Sequence, residues 1–156
     1  MGYQLIETIE VGAGGASSIE FTGIPQDGVD LVLLTSLKTS RTNTVEKVSL
    51  DFNGETATAK YSSIYLQGNG SSLTNATSTK VNEWATSSEI GPFSNSSTYI
   101  SNYARTTTKS FSVDSVTENN ATAAFQMINA KSWASTTGRV SLRIYPVTGT
   151  DFLQYS

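Results

Sequence analysis

The residues of this chain that could do chemistry are carboxylates, hydroxyls and aromatic rings, because its 156 residues include no histidine and no cysteine. Histidine is the usual proton shuttle near neutral pH and the commonest metal ligand. The cysteine thiolate is the other routine nucleophile and soft ligand. A serine nucleophile would then need lysine as its base. No lysine has a serine three positions before it, so the S-x-x-K spacing is absent. Paired acids for glycoside cleavage can meet from distant loops, and the pool is Asp27, Asp30, Asp51, Glu83, Glu89 and Asp114. Solvated or turn-capping roles are the stronger expectation for these. Residues Asp51 to Glu55 lack the spacing of a calcium loop, and Asn53-Gly54 is a strong hairpin-turn signal. In Gly12-Ala13-Gly14-Gly15 the third glycine of a phosphate loop would fall at Ser17. No helix pattern follows, so a turn is expected there. No catalytic residue, cofactor-binding residue or metal ligand is assigned.

Tyrosine and tryptophan pair an apolar body with a polar tip and suit binding surfaces. Trp84, Trp133, Tyr99 and Tyr103 would form a stacking platform for sugars if they met on loops. The competing expectation is that they fill a core or a subunit contact. The net charge is −3 and the ten Lys and Arg are scattered, so the basic patch of a nucleic-acid binder is missing. No basic region followed by an apolar stretch opens the chain, and no apolar run is long enough to span a bilayer. Ser and Thr number 45, beside seven Tyr, six Phe and two Trp. Disordered chains are poor in aromatic and β-branched residues, so a β protein with hydroxyl-rich faces is expected.

Period-two alternation gives the elements. A first strand is expected over 3–11, with a glycine turn at 12–15 and a second strand over 17–22. Val29 to Leu37 is the most apolar stretch, apolar on both faces, and is expected to be central or covered by another subunit. Val48, Leu50 and Phe52 alternate, then Asn53-Gly54 turns the chain into a strand at 61–66. Residues 71–80 and 86–97 read as polar loops on either side of Val81 to Ala85. Further strands are expected around Tyr99 to Tyr103, Phe111 to Val116, 121–130 and Val140 to Tyr145, with Pro146 ending the last. Residues 121–130 also fit a helix; the strand is favoured because its neighbours are strands. Another strand is expected to begin at Phe152, with the natural chain running past Ser156.

The opening Leu5 to Pro25 resembles the start of small virion structural proteins of marine tailed phages such as cyanophages. Phe52-Asn53-Gly54, Leu66 to Ser71, Ser112 to Asn120 and Asp151 to Ser156 are similar too. The resemblance implies a capsid decoration, head-fibre or tail-fibre protein, located on the particle surface. It also implies a homo-oligomer, with a trimer as the guess, and the major capsid or fibre protein as partner.

The expectation is therefore one all-β domain over 1–156, an antiparallel β-sandwich of jelly-roll type. It is expected to act by protein–protein adhesion and not as an enzyme, without cofactor, nucleic acid or membrane. Val29, Leu31, Val32 and Leu34 are the expected interface. The alternative is a receptor-binding module that holds a host surface glycan through Trp84, Trp133, Tyr99 and Tyr103.

Overall fold

A computed structural model describes residues 2–86, 92–118 and 124–156. Its strands are β1 (Ile19–Thr22), β2 (Leu31–Leu37), β3 (Val45–Phe52), β4 (Tyr61–Gly68), β5 (Leu73–Ser78), β6 (Val81–Thr86), β7 (Ser94–Ile100), β8 (Lys109–Glu118), β9 (Ala124–Trp133) and β10 (Ser141–Pro146). One sheet has the order β1-β10-β3-β6 and the other β2-β7-β8-β9-β4-β5. Every strand pairing is antiparallel. The architecture is the expected all-β sandwich.

Alternation explains why these strands hold two layers. In β8, Lys109, Phe111, Val113, Ser115 and Thr117 are buried while the residues between them, Ser110 to Val116, are exposed. In β10, Leu142, Ile144 and Pro146 point inward. Val48, Leu50, Phe52, Leu142, Ile144, Leu33, Leu37, Ile100, Phe111, Val113 and Trp133 form one core between the sheets. Phe52 lies at its centre, with ring centroids 5.3 Å from both Phe111 and Trp133. Burying a side chain of this size contributes about 1.5–3 kcal/mol.

Several boundaries differ from expectation. Residues 3–11 form no strand; Tyr3 and Leu5 are 81% and 78% exposed. Their alternation is real, but no neighbouring strand is placed to pair with them. The expected strand at Phe152 is a single bridge that touches Ala16 on one side and Thr39 on the other. The two expected polar loops hold β5 and the start of β7. The strand assignment over 121–130 holds for β9, with 121–123 outside the described residues.

Asn53 and Gly54 both take positive φ, 51° and 67°, and Glu55 N–H closes the turn onto Phe52 O at 2.8 Å. This is the turn geometry the Asn-Gly pair favours. It does not join a hairpin, because β3 pairs with β10 and β6 while β4 lies in the other sheet. The turn carries the chain between layers. Asn53 Oδ1 accepts from Val140 N–H at 2.8 Å and Ser141 N–H at 3.1 Å, and its Nδ2 donates to Gly138 O at 2.7 Å. Asn53→Ala removes these bonds and strains the backbone, so it is expected to cost about 2 kcal/mol. Asn53→Gly keeps the φ and is expected to cost about half that. Equal losses in urea unfolding would show that the backbone strain contributes little and that the side-chain bonds carry the effect.

Candidate interaction surface

The six-stranded sheet turns one face to the core and the other to solvent. Across the outer face the ladder registers align Leu34, Ser97, Asp114, Ile128, Leu66 and Asn75 in one row. The next row is Val32, Tyr99, Ser112, Ala130, Ile64 and Thr77. Leu34, Ile64, Leu66 and Ile128 are 73%, 64%, 57% and 51% exposed. Small residues lie between them, and Asp114 is the one charged residue in the two rows. Exposed apolar groups scattered singly are ordinary. Ile64, Leu66 and Ile128 stand together on the adjacent strands β4 and β9 and make a small patch suited to contact with another surface, with Leu34 set apart from it by Ser97 and Asp114.

The expected interface divides. Val32 and Leu34 belong to this outer face, half-buried and exposed. Leu31 packs against the core instead. Val29 is exposed but precedes β2, where its carbonyl accepts from Tyr103 N–H at 3.1 Å. Ile64, Leu66 and Ile128 were missed as surface residues. Their alternation is visible in the sequence, but which face of β4 and β9 is covered depends on pairings that the sequence does not print.

The expected aromatic platform does not assemble. Trp84, Trp133 and Tyr103 are buried, and Tyr99 alone is exposed. Trp133 packs on Phe52 and Tyr61, Trp84 on Phe125, and Tyr103 OH donates to Pro25 O. Their apolar bodies fill the layers, so they offer no ring face to a sugar. Tyr99 OH donates to Asp30 Oδ2 at 2.7 Å, which with Asn102 N–H holds the Asp30 carboxyl below its usual range.

The acids of the sequence pool are dispersed. Asp114 points outward, and Glu89 lies outside the described residues. Asp51 is fully buried between Lys80 at 2.5 Å and Arg143 at 2.8 Å. Glu83 is fully buried and accepts from Thr35 Oγ1 at 2.8 Å. Burial pushes its carboxyl up to about 7. Lys131, on the facing sheet, donates to Lys80 O at 3.0 Å, and burial pulls its ammonium down to about 7. Arg139 lies against the Phe52 ring, 4.0 Å from its centroid, and burial lowers it to about 9. Among the described residues no group of three His, Cys, Asp or Glu is placed to hold a metal ion. Glu83, Lys131 and Arg139 are closed in between the layers, whereas Asp51 and its ladder partner Arg143 lie on the other face of the four-stranded sheet, because Leu50, Phe52, Leu142 and Ile144 take the core side.

The fold therefore defines a two-layer antiparallel β-sandwich whose outer sheet face carries a few large exposed apolar residues among polar ones. Compared with protein-family models, curated proteins and solved structures, the chain matches none.

Proposed function

We propose that this chain is a structural protein of a phage particle, a capsid decoration or fibre component that works by adhesion as a homo-oligomer. The observation that carries the adhesive reading is the outer face of the six-stranded sheet, where Ile64, Leu66 and Ile128 stand exposed on adjacent strands, with Leu34 exposed on the same face. Interfaces lose charged residues at their centres and keep apolar ones. The placement on a phage particle rests on the sequence resemblance.

The test is adsorption of the purified chain to tailed-phage particles stripped of their accessory proteins, with sedimentation of the free chain to read its self-association. Binding that restores the heat resistance of the particles supports the reading. Absence of both adsorption and self-association overturns it. Ile64→Lys with Ile128→Lys is expected to cut adsorption at least tenfold while unfolding stability stays within about 0.5 kcal/mol, as for other surface substitutions.

A further inference from the structure

Two Asn-Gly pairs occur in the sequence, Asn53-Gly54 and Asn69-Gly70. Each sets up the same reaction. The backbone nitrogen after an asparagine can attack the side-chain carbonyl carbon and expel ammonia. Glycine makes this easiest, because it puts no Cβ in the path and restricts the backbone least. The fold treats the two pairs in opposite ways. Asn53 is half-buried, and its side chain is tied to the loop before β10. Its bonds to Gly138, Val140 and Ser141 must break before Cγ can turn to the Gly54 nitrogen.

Asn69 is exposed in the turn that joins β4 to β5. Its N–H donates to Ser72 O at 3.3 Å, which closes the turn. Its Oδ1 accepts from Ser71 N–H at 3.0 Å, Ser72 N–H at 2.8 Å and Ser72 Oγ at 3.2 Å. The bond from Ser71 closes a ring that contains both Cγ and the Gly70 nitrogen, so the turn holds the two reacting atoms in one small loop. The three donors lie where negative charge develops when that nitrogen attacks, as in an oxyanion hole. Among the described residues no acceptor takes the Gly70 N–H or the Asn69 side-chain N–H groups. Gly70 has φ 83°, and nothing lies within 4 Å of where a Cβ would stand. Nucleophile and leaving group are both open to water.

We infer that Asn69 is a site of self-modification, where the Gly70 nitrogen displaces the side-chain amide. Hydroxide removes the Gly70 amide proton. The nitrogen bonds Cγ, the Cγ–Nδ2 bond breaks, and ammonia leaves with a proton taken from water. The five-membered imide that results adds water and opens to aspartate or isoaspartate. No electrons are exchanged with another group, and water is the only co-reactant. The aspartate product keeps the acceptor for Ser71 N–H and Ser72 N–H and holds them more strongly, because it is charged. The net charge of −3 becomes one unit more negative. The new charge stands beside the Gly68–Leu73 pair that ends the β4–β5 ladder. The reaction needs only this turn, whatever the chain adheres to.

The test is mass spectrometry of the full chain, incubated at pH 7 and pH 9 and digested with trypsin at intervals. Cleavage after Lys47, Lys60 and Lys80 puts Asn53 and Asn69 in separate peptides, and fragment ions separate Asn69 from Asn75. The same chain unfolded in guanidinium gives the rate each Asn-Gly pair has without the fold. The expected result is a gain of one mass unit at Asn69, at least as fast folded as unfolded, and faster at pH 9. Asn53 is expected to react at least tenfold more slowly folded than unfolded. Ser72→Ala removes the hydroxyl donor and is expected to slow Asn69 at least twofold in the folded chain, with the unfolded rate unchanged. The inference is overturned if folding slows Asn69 as much as Asn53, or if the rate does not rise with pH. An unchanged folded rate in Ser72→Ala overturns the oxyanion role of that hydroxyl.

Discussion

Asp51→Ala is expected to destabilise the chain by about 3–4 kcal/mol, the range for breaking a buried ion pair by removing one partner. Asp51 is fully buried and faces Lys80 and Arg143 together. Its loss leaves two cations without their shared anion. The Lys80 side chain is 11% exposed and sits over the Tyr61 ring, so its ammonium has little access to water. The Arg143 side chain is 36% exposed and can turn outward, which keeps the loss from the top of the range. For a chain of this length the loss lowers Tm by roughly 6–15 °C. Asp51→Leu combined with Lys80→Met and Arg143→Met is expected to recover most of it, since a well-packed apolar replacement of buried charges is often neutral or better. Guanidinium unfolding curves with an unchanged slope give the comparison. A single-variant loss under about 1 kcal/mol would show that the carboxylate does not hold the two cations in solution.

The fold was legible where hydropathy alternates with burial. In β8 and β10, Phe111 and Val113, then Leu142 and Ile144, are apolar every second residue and all face the core. The reading failed where the inward residues are hydroxyls. In β7 the buried positions are Ser94, Ser96, Thr98 and Ile100, so three of the four carry no hydropathy signal. They are buried because the opposing strand is polar too: Asn82 Nδ2 approaches Thr98 Oγ1 at 3.5 Å, and Thr35 bonds both Ser96 and Glu83 at 2.8 Å. Residues 3–11 fail in the opposite sense. They alternate like a strand, but alternation reports which side chains want shelter, and pairing depends on a neighbour far away in sequence. The surface was half legible for the same reason. Leu34 stood out inside an apolar run. Ile64, Leu66 and Ile128 each sat beside residues that turned out to be core, such as Tyr65 and Met127.

The second large effect is a dependence of stability on pH written by Glu83 and Lys131. Burial raises the folded pKa of Glu83 from 4.5 to about 7. The folded state then holds this proton more tightly than the unfolded chain does. Its contribution is fully present below about pH 4.5 and is lost as pH rises through 7. A shift of this size corresponds to roughly 3 kcal/mol across that window. Lys131 has the opposite sign. Burial lowers its folded pKa from 10.5 to about 7, so between 7 and 10.5 the unfolded chain binds more protons and stability climbs with pH. The two limbs meet near neutrality, where the pair contributes least. Glu83→Gln keeps a neutral acceptor for Thr35 and removes the titration. Urea unfolding at pH 5 and pH 8 is therefore expected to show Glu83→Gln about equal to the parent at pH 5 and more stable at pH 8 by up to about 3 kcal/mol, the cost of ionising a carboxyl that burial holds in its neutral form. Lys131→Met is expected to flatten the alkaline limb and leave the acid limb in place. Parallel pH profiles for the parent and Glu83→Gln would mean that Glu83 meets water, and that the two layers are not closed over it.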